Sequence, residues 1–355
     1  MTILIAAAGT GGHVFPGLAV GEALVALGVA QDSVVFVGGR RLEAEVYPTA
    51  GFPFIPLQLA GLTRSFALSN LALPAVVRRA ARAVARILDE RSVASVLGLG
   101  GYVTVPVALA LRRRSVPLFL AEQNAQAGLA NRFCSRWAKR VFTSFPHTAG
   151  LKRQEWVGNP IRASLSAFNR SVLRPTARQH FGIADDQTVV GVMGGSLGAA
   201  LLNRVAQQLA DTKPAYTILN LAGLAHANEQ ERLAAAAASP WIVRGFETRI
   251  ELFYAAIDVV VARAGGVVAE YTATATPAIL IPGGFGSGEH QWANARAVAK
   301  TGAAIVVSED ELERVPALVQ AALGQRAEMA AATATLARPQ AALDIAEALL
   351  QEAGP

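Results

Sequence analysis

The chain of 355 residues is 52% hydrophobic, contains 32 glycines and one cysteine, and carries a formal net charge of +6. That length exceeds one ordinary core and predicts two α/β domains, while the lone Cys134 excludes an intramolecular disulfide and reads as a small buried residue. The charge is lopsided, +10 over residues 1–162 and −4 over residues 163–355, so an anionic partner is expected for the first half. Aromatic residues at 6% do not interleave with the basic ones, which argues against nucleic acid and leaves an acidic membrane surface.

The first predicted element is the apolar run Ile3 to Ala8, which breaks into Gly9-Thr10-Gly11-Gly12-His13 and then a helix. No basic n-region or cleavage site precedes it, so a cytoplasmic protein is expected. A second strand, Ser33 to Val37, ends in Gly38-Gly39-Arg40, where a nicotinamide dehydrogenase usually presents an acid to ribose. Val14 also occupies the sixth position of the Gly-x-Gly-x-x-Gly pattern, and the two departures together argue against a dinucleotide site. From Leu71 to Arg91 a helix is predicted with Leu73, Val76, Val77, Ala80, Val84, Ile87 and Leu88 on one face and Arg78, Arg79, Arg82 and Arg86 on the other. That pattern suits a core-facing surface helix or a peripheral membrane contact.

Val93 to Leu97 predicts the next strand, followed by a second glycine loop, Gly98-Leu99-Gly100-Gly101-Tyr102. The apolar run Val103 to Leu111 stops at Arg112-Arg113-Arg114, short of a bilayer span. The strand Pro117 to Leu120 delivers Glu122-Gln123-Asn124 at its carboxyl end, and Arg140 to Thr143 gives one more strand. Val157 to Arg162, with Gly158 and Asn159-Pro160, reads as a linker. Domains are therefore expected over 1–160 and 161–338, with a final helix in 339–355 able to pack on either.

The second series opens with Val189 to Met193 and a third glycine loop, Gly194-Gly195-Ser196-Leu197-Gly198, and continues through Tyr216 to Leu219, Asp258 to Ala262, Ala278 to Ile281 and Ala303 to Val307. Strands alternating with helices predict two parallel sheets. Glycine allows close backbone approach and a following helix offers N–H groups, so three strand–glycine–helix units point to a phosphate-rich ligand. No Gly-Lys-Ser/Thr follows any of these loops, which excludes a P-loop. Arg263-Ala264-Gly265-Gly266 leads into a helix bearing Glu270, an arrangement suited to a diphosphate and a carboxylate accepting two ribose hydroxyls. The glycine-rich stretch from Pro282 to Glu289 ends in His290-Gln291 and Asn294, a polar cluster able to close over a sugar. His13, at the mouth of the first loop, is a candidate general base because an ordinary imidazole, with a pKa of about 6.5, suits proton transfer near neutrality.

Taken in order, Gly9-Thr10-Gly11-Gly12-His13-Val14-Phe15-Pro16-Gly17-Leu18-Ala19, Gly100-Gly101-Tyr102-Val103, Glu122-Gln123-Asn124-Ala125 with Gly128-Leu129-Ala130-Asn131, Gly158-Asn159-Pro160-Ile161-Arg162, Gly194-Gly195-Ser196 and His290-Gln291 with Asn294-Ala295 resemble the motifs of the MurG family. The resemblance implies a GT-B fold, two Rossmann-like domains facing across a cleft. It implies inverting transfer of N-acetylglucosamine from UDP-N-acetylglucosamine to the lipid-linked acceptor called lipid I, at the cytoplasmic face of the cell membrane; no Asp-x-Asp occurs in the chain, so no metal-bound diphosphate is expected, and no cofactor. Carried over by motif, Thr10, Gly11, Gly12, Asn124, Arg162, Ser196, Gly265, Glu270 and Gln291 are implied donor contacts. His13, Gly100, Gly101 and Tyr102 are implied on the acceptor side, with His13 first and Glu122 second as base. The chain departs from the family pattern at Ala121, at Leu197 and in a shortened Gly265 to Glu270 segment. Two other readings compete: a UDP-N-acetylglucosamine 2-epimerase on the same fold, and a noncatalytic nucleotide-sugar or membrane-binding module.

Overall fold

The computed structural model describes residues 1–59, 73–194, 200–283 and 288–353. The described chain divides into two units, Met1–Ala163 together with Gln340–Pro355, and Ser164–Pro339. Each is built on one wholly parallel sheet.

In the first unit the strands are β1 (Thr2–Ala6), β2 (Val34–Gly38), β3 (Phe54–Pro56), β4 (Val93–Gly98), β5 (Leu118–Glu122), β6 (Arg140–Thr143) and β7 (Glu155–Trp156). Their order across the sheet is β3-β2-β1-β4-β5-β6-β7. Ile3, Leu4, Ile5 and Ala6 are all fully buried, because helices cover both faces of a parallel sheet and every side chain of an inner strand meets core. Leu4 and Ala6 join one apolar cluster while Ile3 and Ile5 join another, the two faces separated by the period-two alternation of the strand.

The second unit contributes β8 (Val189–Met193), β9 (Thr217–Leu221), β10 (Trp241–Arg244), β11 (Val259–Ala262), β12 (Ala278–Leu280) and β13 (Ala304–Val306), ordered β10-β9-β8-β11-β12-β13. In both sheets the order reverses once, between β1 and β4 and between β8 and β11. The carboxyl ends of the strands flanking such a reversal diverge into helices on opposite faces and leave a crevice, which is where an open α/β sheet binds ligands. The first two glycine loops follow β1 and β4, and the Arg263 to Glu270 segment follows β11.

One sequence expectation changes and two that were open are narrowed. The stretch 157–161, read as a linker, is buried in the first unit: the amides of Val157 and Gly158 both donate to the Thr143 carbonyl, and Val157 and Ile161 join the interior. The C-terminal helix Ala341–Ala353 packs on the helix Gly11–Ala26 and on β4 of the first unit, burying Ile345 and Leu349. The helix Leu73–Glu90 lies against the helix Thr104–Leu111, with Ala80, Val84, Ile87 and Leu88 in the core. Its apolar face is therefore engaged by the protein itself, and Arg78, Arg79, Arg82 and Arg86 face outward. Leu71 and Ala72 lie outside the described residues. Among the described residues no helix is long and apolar enough to cross a membrane.

Candidate functional site

At the reversal of the first sheet, Gly9 adopts φ +105° and turns the chain from β1 into the helix Gly11–Ala26. Thr10 precedes that helix in extended conformation with no side-chain cap, so Gly11, Gly12 and His13 supply its first turn. The Thr10 hydroxyl lies 3.5 Å from His13 Nδ1. On the neighbouring strand the chain after β4 turns through Gly100 and Gly101, at φ +88° and +69°. A Cβ on Gly100 would lie 3.1 Å from Asn131 Nδ2, a tight approach, and 3.5 Å from His13 Nε2, ordinary contact distance. The two loops therefore lie in contact at Gly100, whose positive φ favours glycine.

A buried acid that the sequence reading missed holds this corner together. Glu43 Oε2 accepts the Gly9 amide at 3.2 Å and Oε1 accepts the Gly39 amide at 2.9 Å, with the carboxylate wholly excluded from solvent. Tyr102 stands beside it: a Cβ on Gly39 would fall within 2.5 Å of the Tyr102 hydroxyl and 2.8 Å of Glu43 Oε1. Burial first, and then the Glu43 charge, raise the Tyr102 pKa above the usual phenol value, against a smaller lowering by Arg41. Tyr102 is thus held as the neutral phenol, a hydrogen-bond donor or acceptor rather than a charge.

Glu122, the second candidate base, is heavily engaged. It is 3% exposed, and both oxygens are taken: Oε1 accepts the backbone N–H and the side-chain amide of Asn124 at 3.1 and 3.0 Å, and Oε2 accepts the Gly128 amide and Asn131 Nδ2 at 3.0 and 2.9 Å. Four donors on one carboxylate make it a clasp that shapes residues 122–131. Its second-choice role as proton acceptor would require an incoming hydroxyl to displace or share one of these bonds. Asn131 was quoted only as part of a motif, yet it bridges Glu122 Oε2 and the Ala121 carbonyl and abuts Gly100. Arg162 lies in this same unit, its guanidinium 5.6 Å from the Phe15 ring centroid. Glu22, raised by burial, feels the lowering charge of Arg162. Cys134 is buried as expected, its Sγ 3.9 Å from the Thr104 carbonyl and its pKa pushed up to about 12 by desolvation.

In the second unit, Ser196 lies outside the described residues, as do the others of 195–199. After β11, the Ala264 carbonyl accepts from Asn294 Nδ2 at 2.9 Å, which fixes the start of the Gly265-Gly266 turn. A Cβ on Gly265 would meet nothing within 4 Å, so this backbone faces open space. Arg263 turns away, bonding the Ile281 carbonyl and Glu309. On the helix Val267–Ala273, Glu270 is half-buried and its Oε2 accepts from the Tyr254 hydroxyl at 3.1 Å. On the helix Gly288–Ala299, Gln291 uses its carbonyl oxygen to accept the Gly283 amide at 2.9 Å. Its Nε2 makes no part of that bond.

Each unit thus presents glycine turns and polar side chains at the carboxyl ends of its central strands, and comparison with known proteins agrees with that layout. Residues 3–143 match the glycosyltransferase family 28 N-terminal domain, and residues 189–349 match the family's C-terminal domain. A relative from Mycobacterium bovis (strain BCG / Pasteur 1173P2) is 39% identical over 350 residues, covering 95% of this chain and 85% of its own length. It is named UDP-N-acetylglucosamine--N-acetylmuramyl-(pentapeptide) pyrophosphoryl-undecaprenol N-acetylglucosamine transferase, as is a relative from Mycobacterium sp. (strain JLS), 39% identical over 314 residues, or 88% of this chain and 84% of its own. Among solved structures, Acinetobacter baumannii MurG superposes with a TM-score of 0.79 at 25% identity, covering 99% of this chain and 100% of that one. A UDP-GlcNAc 2-epimerase from Neisseria meningitidis reaches 0.65 at 13% identity, with coverage of 99% and 100%, a likeness of fold alone.

Proposed function

The chain belongs to glycosyltransferase family 28, with the GT-B type of fold, and is an N-acetylglucosaminyltransferase; on that premise we propose how its residues carry out the reaction. The donor is UDP-N-acetylglucosamine and the acceptor is the MurNAc 4-hydroxyl of undecaprenyl-pyrophosphoryl-MurNAc-pentapeptide, lipid I, giving lipid II for peptidoglycan. The 4-hydroxyl attacks the anomeric carbon while UDP leaves from the opposite face, so the new glycosidic C–O bond forms as the C–O bond to the diphosphate breaks. The hydroxyl proton passes to the His13 imidazole and the electron pair leaves on UDP.

The observation that carries this reading is the placement of His13 beside Gly100, two glycine turns meeting at the reversal of the first sheet with one titratable ring between them. Gly100, Gly101 and the neutral Tyr102 phenol line the acceptor side. Thr10, Gly11, Gly12 and Asn124 contact the donor, with Arg162 and the Ser196 region countering charge that develops on the departing diphosphate. Glu270 takes the ribose hydroxyls, the Gly265 backbone approaches the diphosphate, and Gln291 Nε2 reaches the sugar. Contact with an anionic membrane surface runs through the outward arginines of the helix Leu73–Glu90, which would keep the enzyme peripheral at the cytoplasmic face. The experiment is direct: with labelled UDP-N-acetylglucosamine and a lipid I analogue, label enters the lipid. Label recovered as the epimeric UDP-sugar, or retained entirely in unreacted donor, overturns the proposal.

A further inference from the structure

Tyr254 lies on the helix Ile250–Ala256, is fully buried, and faces the end of β8 on one side and Glu270 on the other. Its hydroxyl is 3.1 Å from Glu270 Oε2 and 3.5 Å from Met193 Sδ. A hydroxyl has one proton, and the carboxylate is much the stronger acceptor, so the donated bond goes to Glu270. Met193 is the last residue of β8, immediately before the third glycine loop, and Glu270 is on the helix that follows β11. One buried oxygen therefore touches both sides of the strand-order reversal in the second sheet.

From this geometry we infer that Tyr254 is a positioning residue for nucleotide recognition, holding the Glu270 carboxylate in the rotamer that accepts the ribose hydroxyls. The inference rests on the assignment of Glu270 to ribose made above. A glutamate on a short helix has three side-chain torsions, and binding must select one orientation of a flexible acid. A bond from a donor that cannot itself move makes that selection before the nucleotide arrives, which lowers the entropy lost on binding. Tyr254 can supply such a bond because its ring is locked: it stacks edge-on to Phe253 at 5.5 Å, and its own carbonyl accepts from Arg170. Burial, reinforced by the Glu270 charge, raises the Tyr254 pKa well above the ordinary phenol value, so the proton stays in place across the working pH range.

The test compares UDP with 2′,3′-dideoxy-UDP, which lacks both hydroxyls and so reports binding that does not use Glu270. Wild-type protein should bind UDP more tightly than the dideoxy analogue. Tyr254→Phe, which removes one oxygen and keeps the ring, should weaken UDP by about 10-fold while leaving the dideoxy analogue unchanged. The melting temperature of Tyr254→Phe, read alongside, separates loss of folded protein, which would weaken both nucleotides, from loss of discrimination between them. Combining Tyr254→Phe with Glu270→Gln should cost no more than Glu270→Gln alone. If wild type does not distinguish the two nucleotides, the ribose assignment of Glu270 falls and this inference with it. If wild type does distinguish them, yet Tyr254→Phe keeps full discrimination or weakens both ligands equally, the positioning role alone is overturned.

Discussion

Asn131 Nδ2 donates to Glu122 Oε2 at 2.9 Å while the same nitrogen stands 3.1 Å from where a Cβ on Gly100 would lie. Through this one amide, the clasped carboxylate at the end of β5 is tied to the glycine turn after β4 that borders His13. The acid that most resembles a base in the sequence thus acts on the shape of the loops around the actual candidate.

Glu122→Gln therefore separates clasp from base. The new NH2 group must replace one of two oxygens that each accept two N–H bonds, so two donors lose their acceptor inside the protein. A destabilisation of about 2–3 kcal/mol is expected, read as a lower melting temperature. The rate should fall without loss of either limb of its pH profile. A mutant that melts as wild type does and loses only the limb reporting the base would restore the catalytic assignment.

His13→Ala should lower kcat by roughly 10²–10⁴-fold with donor affinity nearly intact, because a proton acceptor acts on the transition state more than on bound nucleotide. His13 is half-buried at a helix start rather than in the core, so melting should change little. Calorimetry with UDP and steady-state rates measure the two quantities separately. A rate loss below about threefold would assign the proton to Glu122 or to water.

What the sequence reveals and what it conceals follow a physical division. Inner strands such as β1 and β8 are legible because burial on both faces demands an unbroken apolar run. The edge strands β3, β7 and β10 were missed: Phe54–Pro56 closes on a proline, Glu155–Trp156 is two residues long, and Trp241–Arg244 alternates buried with half-buried positions beside an alanine-rich helix. Glycine loops announce themselves, since their backbone geometry leaves few other residues possible. Their supports do not. Glu43 is 34 residues from the Gly9 amide it accepts, and Tyr254 reaches Glu270 from a different helix, so neither leaves a local pattern. The buried turn at Gly158-Asn159-Pro160 carries the same residues as an exposed linker, and only the bonds to Thr143 tell them apart.

Replacing Arg78, Arg79, Arg82 and Arg86 together by Gln tests the membrane surface without disturbing the fold, because all four side chains are outward. Each basic residue near an anionic surface contributes about 1 kcal/mol, so four should hold the protein reversibly and salt-sensitively. Co-sedimentation with anionic liposomes is expected to drop sharply while the melting temperature stays put. Undiminished sedimentation would move the contact elsewhere on the basic half of the chain.

Gln291 is the residue proposed to choose the sugar, and one end of its amide is already engaged within the protein. The carbonyl oxygen accepts the Gly283 amide and so anchors the start of the glycine-rich loop, leaving Nε2 to donate to a sugar hydroxyl. A site built around one donor loses part of its bonding when the epimer withdraws that hydroxyl, so UDP-N-acetylgalactosamine should be a poor donor. Gln291→Ala removes both the bond to Gly283 and the proposed donor, and should lower the rate, the preference and the melting temperature together. Gln291→Glu is the sharper variant, since a carboxylate still accepts the Gly283 amide but donates nothing. It should melt close to wild type while the ratio of kcat/KM between the two sugars falls by about 10-fold, the scale of one hydrogen bond. An unchanged ratio in Gln291→Glu would confine the residue to anchoring the loop and pass the choice of sugar to another group.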